Sequence, residues 1–184
     1  TKMRQCRAQH ACSASKWVQP NIDWEGHLAA GQSCRRAYFR NMTSQETLQI
    51  VWFKRDLRVE DHAALSAAAQ QGPVLPLYIA EHELWQLPDQ SARQWAFVVE
   101  CLRELRQDLA ALGQSLVVRT GDAVETLERA RQRFGQVQIW SHEETGNAWT
   151  YARDRRVGAW ARAHGIVWHE LRQNGVIRRI QSRN

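Results

Sequence analysis

The stretch Ile50–Leu65, IVWFKRDLRVEDHAAL, decides the fold class of this chain. It opens with four apolar residues, Ile50–Phe53, which predict a buried strand. Lys54–Asp61 then carries six charged side chains of both signs in eight residues, and a run of helix-forming residues follows. Strand, charged turn and helix form the start of a βαβ unit, whose ligands bind at the carboxyl ends of parallel strands.

The same alternation continues to the end of the chain. The predicted strands are Gln49–Lys54, Val74–Ala80, Ser115–Thr120, Val137–Ser141 and Ile166–Leu171. The predicted helices are His62–Gln70 with Asp61 as its N-cap, Ser91–Leu112, Ala123–Phe134 and Thr150–His164. Helical crossovers between apolar strands predict an α/β fold: an open five-stranded parallel Rossmann-like sheet, order 3-2-1-4-5, with helices on both faces. The topological switch then lies between strands 1 and 4.

Composition narrows the class of protein. The chain has 184 residues and is 43% hydrophobic, which suits one domain with a sizeable core. It has neither a run of eighteen apolar residues nor a secretory signal, so we expect no contact with a membrane. The four cysteines match no zinc spacing, which favours reduced thiols and a cytoplasmic location.

The formal charge of +6 is unevenly distributed. Residues 1–48 hold seven basic and three acidic side chains, a net +4, whereas residues 49–184 hold 18 and 16, a net +2. The predicted domain is therefore nearly neutral, and the basic composition is weak evidence that this domain binds nucleic acid.

Residues 1–45 show no helical or strand period, and we expect a disordered leader outside the fold. Met42 is the expected natural start; the alternative is an N-terminal extension that docks on a partner. The domain is expected over residues 46–175, and residues 176–184, with Arg178, Arg179 and Arg183, as the start of an interdomain linker. These arginines would pair with a second domain in preference to DNA phosphates.

The candidate site residues follow strands 1 and 4: Lys54, Arg55, Asp56, Arg58, Glu143, Glu144 and Asn147. Their opposite charges predict Arg–carboxylate pairs that lock the two loops, and the same groups can hold a cofactor or a second domain. We expect Asp56 to be paired with Arg55, Arg58 or a residue of the strand-4 loop, because buried charges need partners.

Several enzyme classes lack their motifs. The sequence contains no G-x-G-x-x-G turn after strand 1, no P-loop and no G-x-S-x-G elbow. His142-Glu143-Glu144 has no second histidine nearby in sequence, which argues against a zinc site, and His62 is expected at the surface or at a helix cap. We predict no catalytic residue and no metal ligand in this chain.

The segments VWFKRDLRVEDHAAL, SHEETGNAWTYARDRRVGAW and QNGVIRR resemble, in order, the N-terminal α/β domain of the DNA photolyase/cryptochrome flavoprotein family. The resemblance runs from about residue 48 to the C-terminus. It implies that FAD binds to a separate helical domain, which we expect to lie outside these 184 residues. It also implies an antenna pigment on the α/β domain: a folate, a deazaflavin or a flavin.

The resemblance places a His after strand 2 and an Asn-Glu pair after strand 4 in the folate site of folate-carrying relatives. Alignment by eye puts Pro88, Trp149 and Thr150 at these positions. This departure disfavours that folate site and leaves a deazaflavin, a flavin, a differently bound folate or no antenna open.

The expected function is that of the N-terminal domain of a photolyase, which repairs pyrimidine dimers in DNA with light. Alone, the domain would be inactive. Its expected partners are its own FAD domain and, through that domain, damaged DNA; we expect a monomer. The alternatives are a cryptochrome-type blue-light receptor domain and a standalone module that binds a nucleotide-like ligand.

Overall fold

The computed structural model describes residues 47–173. The expected leader with Met42 and the expected linker lie outside the described residues. The strands are β1 Leu48–Phe53, β2 Val74–Ala80, β3 Val117–Thr120, β4 Val137–His142 and β5 Trp168–Leu171. The helices are α1 Ala63–Gln71, α2 His82–Trp85, α3 Ala92–Ala111, α4 Ala123–Phe134 and α5 Ala148–Ala163.

The five strands form one sheet in the order β3-β2-β1-β4-β5, and every neighbouring pair is parallel. β1 lies at the centre, with Gln49 opposite Val74 of β2 and Gln138 of β4. The predicted strand order is confirmed. The switch between β1 and β4 therefore brings the ends of these two strands to one crevice.

Both faces of the sheet are covered by helices, as predicted. Val51 and Phe53 of β1 pack in a core with α1 and α3, whereas Ile50 and Trp52 pack in a second core with α4 and α5. Successive strand residues point to opposite faces, so a central strand with both faces buried must be apolar throughout. This explains the unbroken apolar run Ile50–Phe53.

Helix caps account for most differences from the predicted boundaries. α1 begins one residue late because His62, and not Asp61, is its N-cap; His62 Nδ1 accepts a hydrogen bond from the Leu65 N–H at 3.0 Å. α5 begins two residues early because Asn147 caps it through Thr150 N–H, also at 3.0 Å. The predicted loop after β2 contains the short helix α2, which the sequence analysis missed.

Among residues 47–173, no helix combines the length and the apolar character that a membrane span requires.

Candidate functional site

Asp56 is the buried centre of the charged turn after β1. One carboxylate oxygen, Oδ1, accepts the Lys54 N–H at 3.0 Å, which tightens the turn. The other, Oδ2, lies 2.6 Å from His142 Nδ1 and 2.8 Å from His62 Nε2, the latter in a bent approach that leaves His62 Nε2 without a well-formed hydrogen bond. Asp56 thus joins the β1 turn, the start of α1 and the end of β4.

The tautomer of His62 follows from its contacts. Because Nδ1 accepts the Leu65 N–H, the proton of a neutral ring must lie on Nε2, which faces Asp56. Burial alone would raise the pKa of Asp56, but the contacts from His142 and His62 outweigh burial and hold this pKa well below its ordinary value. Asp56 is therefore an ionised structural carboxylate.

The partners of Asp56 correct part of the sequence analysis. Neither Arg55 nor Arg58 pairs with Asp56; its partners are two histidines, of which only His142 belongs to the predicted strand-4 segment. Of the two positions expected for His62, the structure shows the helix cap: His62 caps α1 and is 2% exposed. No second histidine lies near His142 in sequence, but the fold brings the His62 ring to it, with the two ring centroids 4.5 Å apart.

Asp56, His62 and His142 together are a potential set of metal ligands. Their separations of 2.6 and 2.8 Å are hydrogen-bond distances. Two ligands bound to one tetrahedral zinc at about 2.0 Å lie roughly 3.3 Å apart. The three groups, together called the Asp56 lock, are therefore packed too closely for a formed metal centre, and Asp56 holds the two histidines by contact and charge.

A second network is centred on Arg153, which is 4% exposed. Its guanidinium donates to Glu81 Oε2 at 2.8 Å, to Asp154 Oδ1 at 2.9 Å and to Glu144 Oε2. The guanidinium also lies over the ring of Trp52, with Cζ 4.9 Å from the ring centroid. Arg153 thus connects α5 to the ends of β2 and β4.

The pKa values of Arg153 and Glu81 are both raised, but for different reasons. Burial works against the charged form, but Asp154, Glu144 and Glu81 raise the pKa of Arg153. For Glu81 the balance is reversed: burial raises its pKa, and Arg153 offsets this only in part. Glu81 Oε2 is paired with Arg153, whereas Oε1 has no well-formed hydrogen bond. The Ala123 N–H also lowers the pKa of Glu81, but less than Arg153 does.

Lys54 extends the network toward β5. Its ammonium lies 3.0 Å from Asp154 Oδ2 and 3.6 Å from Glu170 Oε1, and 4.8 Å from the centroid of Trp52. The side chain of Lys54 is 4% exposed, so its charge is compensated inside the protein.

The predicted pairing across the switch is confirmed for one pair. Arg55 Nε donates to Glu144 Oε1 at 2.9 Å and joins the loops after β1 and β4. Arg58 instead donates to the backbone oxygens of Glu60 and Asp61, at 3.1 and 3.2 Å. Asn147 caps α5 and donates to Asp89 at 2.8 Å, so its contacts are with loop groups outside the crevice.

A cavity of 740 Å³ lies beside this network, between the sheet and α2 and α3, and is partly open to solvent. Its walls are mostly apolar and aromatic, and include Trp52, Phe53, Tyr78, Trp85 and Phe97. Four of the predicted site residues line it: Lys54, Arg55, Arg58 and Glu144. A larger recess of 1130 Å³ along α5 and β5 is more open, and its surface is more polar than that of the cavity, so it is less typical of a cofactor site.

The remaining predicted residues lie behind the cavity. Asp56 and Glu143 border a small space of 110 Å³ between the loops after β1 and β4, together with Lys54, Arg55 and Glu144. The structure therefore divides the predicted site into a cavity wall and a lock that supports it.

Sequence reasoning missed Arg153 and Glu81, although one signal was present. Thr150, Arg153, Val157 and Trp160 share one buried face of α5, so an arginine interrupts an otherwise buried stripe. A charge at such a position requires buried carboxylate partners. Glu81, directly after the apolar β2, carried no comparable signal in the sequence.

A comparison with models of known protein families shows which family this chain belongs to. The family model described as DNA photolyase matches residues 49–182. The chain belongs to the DNA photolyase family. Two of the segments that carry the resemblance, the turn after β1 and the start of α5, supply the Asp56 lock and the Arg153 network.

Individual relatives carry the names of both branches of the family. The chain is 30% identical over 151 residues to the deoxyribodipyrimidine photo-lyase of Halobacterium salinarum, covering 69% of this chain and 30% of that protein. It is 34% identical over 103 residues to the chloroplastic/mitochondrial cryptochrome DASH of Arabidopsis thaliana, covering 52% and 18%. The chain thus spans less than a third of the length of either relative.

A solved structure shows the same fold. The archaeal photolyase from Sulfolobus tokodaii, determined with two FAD molecules, superposes with a TM-score of 0.60 at 26% identity. The superposition covers 68% of this chain and 29% of that chain. Proteins of the DNA photolyase family generally bind FAD and an antenna chromophore.

Proposed function

We propose that this chain is the N-terminal domain of a photolyase and binds an antenna pigment in the cavity beside the Arg153 network. The observation that carries the proposal is the cavity itself, 740 Å³ with aromatic walls, at the carboxyl ends of β1 and β2. Ligand cavities of about 300–1,000 Å³ with apolar walls and few polar groups are typical of cofactor sites. The related archaeal photolyase with two FAD molecules supports a flavin as the pigment.

The residues present fit a flat pigment with a polar edge. Among the described residues that line the cavity, Glu81 Oε1 and Trp85 Nε1 have no hydrogen-bond partner. An unmade hydrogen bond at a buried atom costs about 1–3 kcal/mol, so a ligand that satisfies either atom gains affinity. Burial raises the pKa of Tyr78 to about 12, so this wall residue remains a neutral phenol at physiological pH.

The charged residues have two roles in this proposal. Lys54, Arg55, Arg58 and Glu144 form part of the cavity wall, whereas Asp56, Glu143 and Asn147 support the loops behind it. The buried ion pairs keep the wall rigid, and rigid walls lower the entropy cost of binding a flat ring. An antenna pigment absorbs light and passes the excitation to FAD.

We further propose that the parent protein repairs pyrimidine dimers in DNA through a separate FAD domain. This chain would contribute pigment binding and the contact with that domain, and would not catalyse repair alone. Its relationship to a deoxyribodipyrimidine photo-lyase supports this reading. The electron donor for such repair is a flavin cofactor, so the chemistry belongs to the domain that holds FAD.

The pigment proposal can be tested by titration. Riboflavin, a deazaflavin and methenyltetrahydrofolate are added to the 184-residue chain, and quenching of pigment fluorescence is measured. We expect saturable binding of the flavin or the deazaflavin, and weaker binding of the folate.

Two tryptophan substitutions on or next to α3 locate the site. Val98→Trp fills the cavity that Val98 lines and should abolish binding. Leu112→Trp, at the exposed C-cap of the same helix, should bind like the unmodified chain. Equal binding by both variants would show that the pigment lies elsewhere.

A cryptochrome-type light receptor is the second candidate, because the cryptochrome DASH relative is as similar to the chain as the photolyase relative. Repair of dimer-containing DNA by the parent protein under blue light separates the two. Stoichiometric flavin reduction without any dimer splitting would favour the receptor.

A further inference from the structure

We propose that the cavity selects pigments with a negatively charged tail, such as a flavin phosphate, and that Arg58 and Arg93 hold this tail at the cavity mouth. This inference rests on the proposed function, because it requires a pigment in the same cavity. It goes further by stating which chemical form of the pigment is bound.

The charges that line the cavity are strongly unbalanced. The cations are Lys54, Arg55, Arg58, Arg93 and Arg153, and the anions are Glu81 and Glu144. Both carboxylates already accept hydrogen bonds from Arg153. The lining has a net charge of +3, but Lys54, Arg55 and Arg153 are themselves paired with carboxylates. Arg58 and Arg93 are the lining cations without a carboxylate partner among the described residues, and their charge favours an anionic ligand.

Two of the cations, Lys54 and Arg153, lie over the buried Trp52 ring, whereas two others lie on the exposed side of the cavity. Trp52, Phe53 and Tyr78 are at most 5% exposed and form the inner walls. The side chain of Arg55 is 57% exposed, and Arg93, in the first turn of α3, is also exposed. A ring bound against the inner walls would therefore direct a flexible tail toward the arginines.

Neither Arg93 nor Arg58 is neutralised by a carboxylate of the described region. Within the described part of the chain, no carboxylate pairs with Arg93, and Arg58 donates to uncharged oxygens, those of the Glu60 and Asp61 backbone and of the Gln173 side-chain amide. A guanidinium carries five N–H donors in a planar fork that matches a phosphate, but four of those of Arg58 already donate to these oxygens. Arg58 therefore contributes mainly its charge, and Arg93 contributes the fork. The first turn of α3 adds the positive end of a helix beside Arg93.

Riboflavin and FMN test the inference, because they share one ring system and differ by a phosphate. Their fluorescence is titrated with the 184-residue chain at about 0.05 M and about 0.5 M salt. At low salt we expect FMN to bind about tenfold more tightly than riboflavin. The ratio should fall to about threefold at high salt, because exposed ion pairs are screened.

Arg93→Gln should reduce the FMN advantage to about threefold or less and leave riboflavin affinity unchanged. Arg103→Gln is the matched control, since Arg103 is exposed on the same helix and does not line the cavity. Inorganic phosphate at the concentration of FMN should not displace it, because the ring supplies most of the contact area.

The outcomes separate this inference from the proposed function. Equal affinities for FMN and riboflavin at low salt, with binding blocked by Val98→Trp, would overturn the inference and leave the pigment site standing. An FMN advantage that survives in the Arg58→Gln/Arg93→Gln double variant would also overturn it. Failure of both ligands to bind would overturn both proposals.

Discussion

At the scale of the residue, the charged turn after β1 depends on Asp56 for its stability. Asp56→Asn keeps the shape of the side chain but removes the charge that faces His62 and His142. We expect a loss of about 3 kcal/mol in the free energy of unfolding, because removing one member of a buried pair leaves the others unsatisfied. Urea denaturation of both proteins measures the difference.

The matched control for this substitution is Glu60→Gln in the same turn. It removes the same charge from an exposed side chain, and should change the free energy of unfolding by less than about 0.5 kcal/mol. Equal destabilisation of the two variants would show that the turn responds to net charge and not to the Asp56 lock.

The same residue predicts a dependence on pH. The folded-state pKa of Asp56 lies well below its ordinary value of 3.8, so its stabilisation is complete above that value and is lost as the pH falls below it. The stability difference between the unmodified chain and Asp56→Asn should therefore shrink below pH 3.8, by up to about 1.4 kcal/mol per pH unit. Denaturation at several pH values tests this, and a constant difference down to about pH 2 would contradict it.

The contact partners of single residues were the part of the structure that the sequence predicted least well. The charges of the turn after β1 were visible in the sequence, and so was their need for partners. Their identity was not, because His62 and His142 are far apart in the chain and meet only through the β1–β4 pairing. Arg55–Glu144 was predictable since both residues directly follow paired strands.

At the scale of the element, the fold was largely predictable. Apolar runs identified all five strands. The helices bury β1, β2 and nearly all of β4, whereas the edge strands β3 and β5 are only partly buried. α4 was predicted at its observed bounds, Ala123–Phe134, since Asp122 caps it and Gly135 ends it. The four-residue α2 was missed because a single turn has no period to detect.

Gly146, in the loop between β4 and α5, leads to a prediction about stability. A Cβ built on Gly146 would fall on the Thr150 hydroxyl, which donates to the Asn147 carbonyl oxygen at 3.0 Å inside the first turn of α5. Gly146→Ala must displace this buried threonine, and we expect a loss of about 1–3 kcal/mol in the free energy of unfolding. Thermal denaturation followed by circular dichroism measures it.

Gly158 in the middle of α5 is the matched control. Its added Cβ would meet the end of the flexible Arg162 side chain at 3.4 Å and the Trp168 ring at 3.6 Å, which are ordinary contacts. Gly158→Ala should therefore stabilise the protein by about 0.5–1 kcal/mol, because alanine is the better helix former. Destabilisation by both substitutions to the same extent would refute the steric explanation for Gly146.

At the scale of the whole molecule, the net positive charge lies at the two ends of the chain, and the folded region is nearly neutral. Residues 47–173 hold 15 basic and 16 acidic side chains, whereas the complete sequence has a net charge of +6. Affinity for duplex DNA without sequence preference comes mainly from contacts between basic side chains and phosphates. The folded region should therefore bind DNA weakly, and most of the affinity should come from the basic ends.

Substitution of Arg178, Arg179 and Arg183 by glutamine tests this division. If these arginines neutralise phosphates, the slope of log affinity against log salt should fall by about 0.9 for each phosphate that the variant leaves without a cation. The control removes the same charge from exposed arginines of the helices, in the variant Arg103→Gln/Arg106→Gln/Arg129→Gln. Its slope should stay close to that of the unmodified chain, because acidic side chains balance that surface. An equal reduction in the two variants, measured by fluorescence anisotropy with a labelled duplex, would show that DNA contacts the folded region after all.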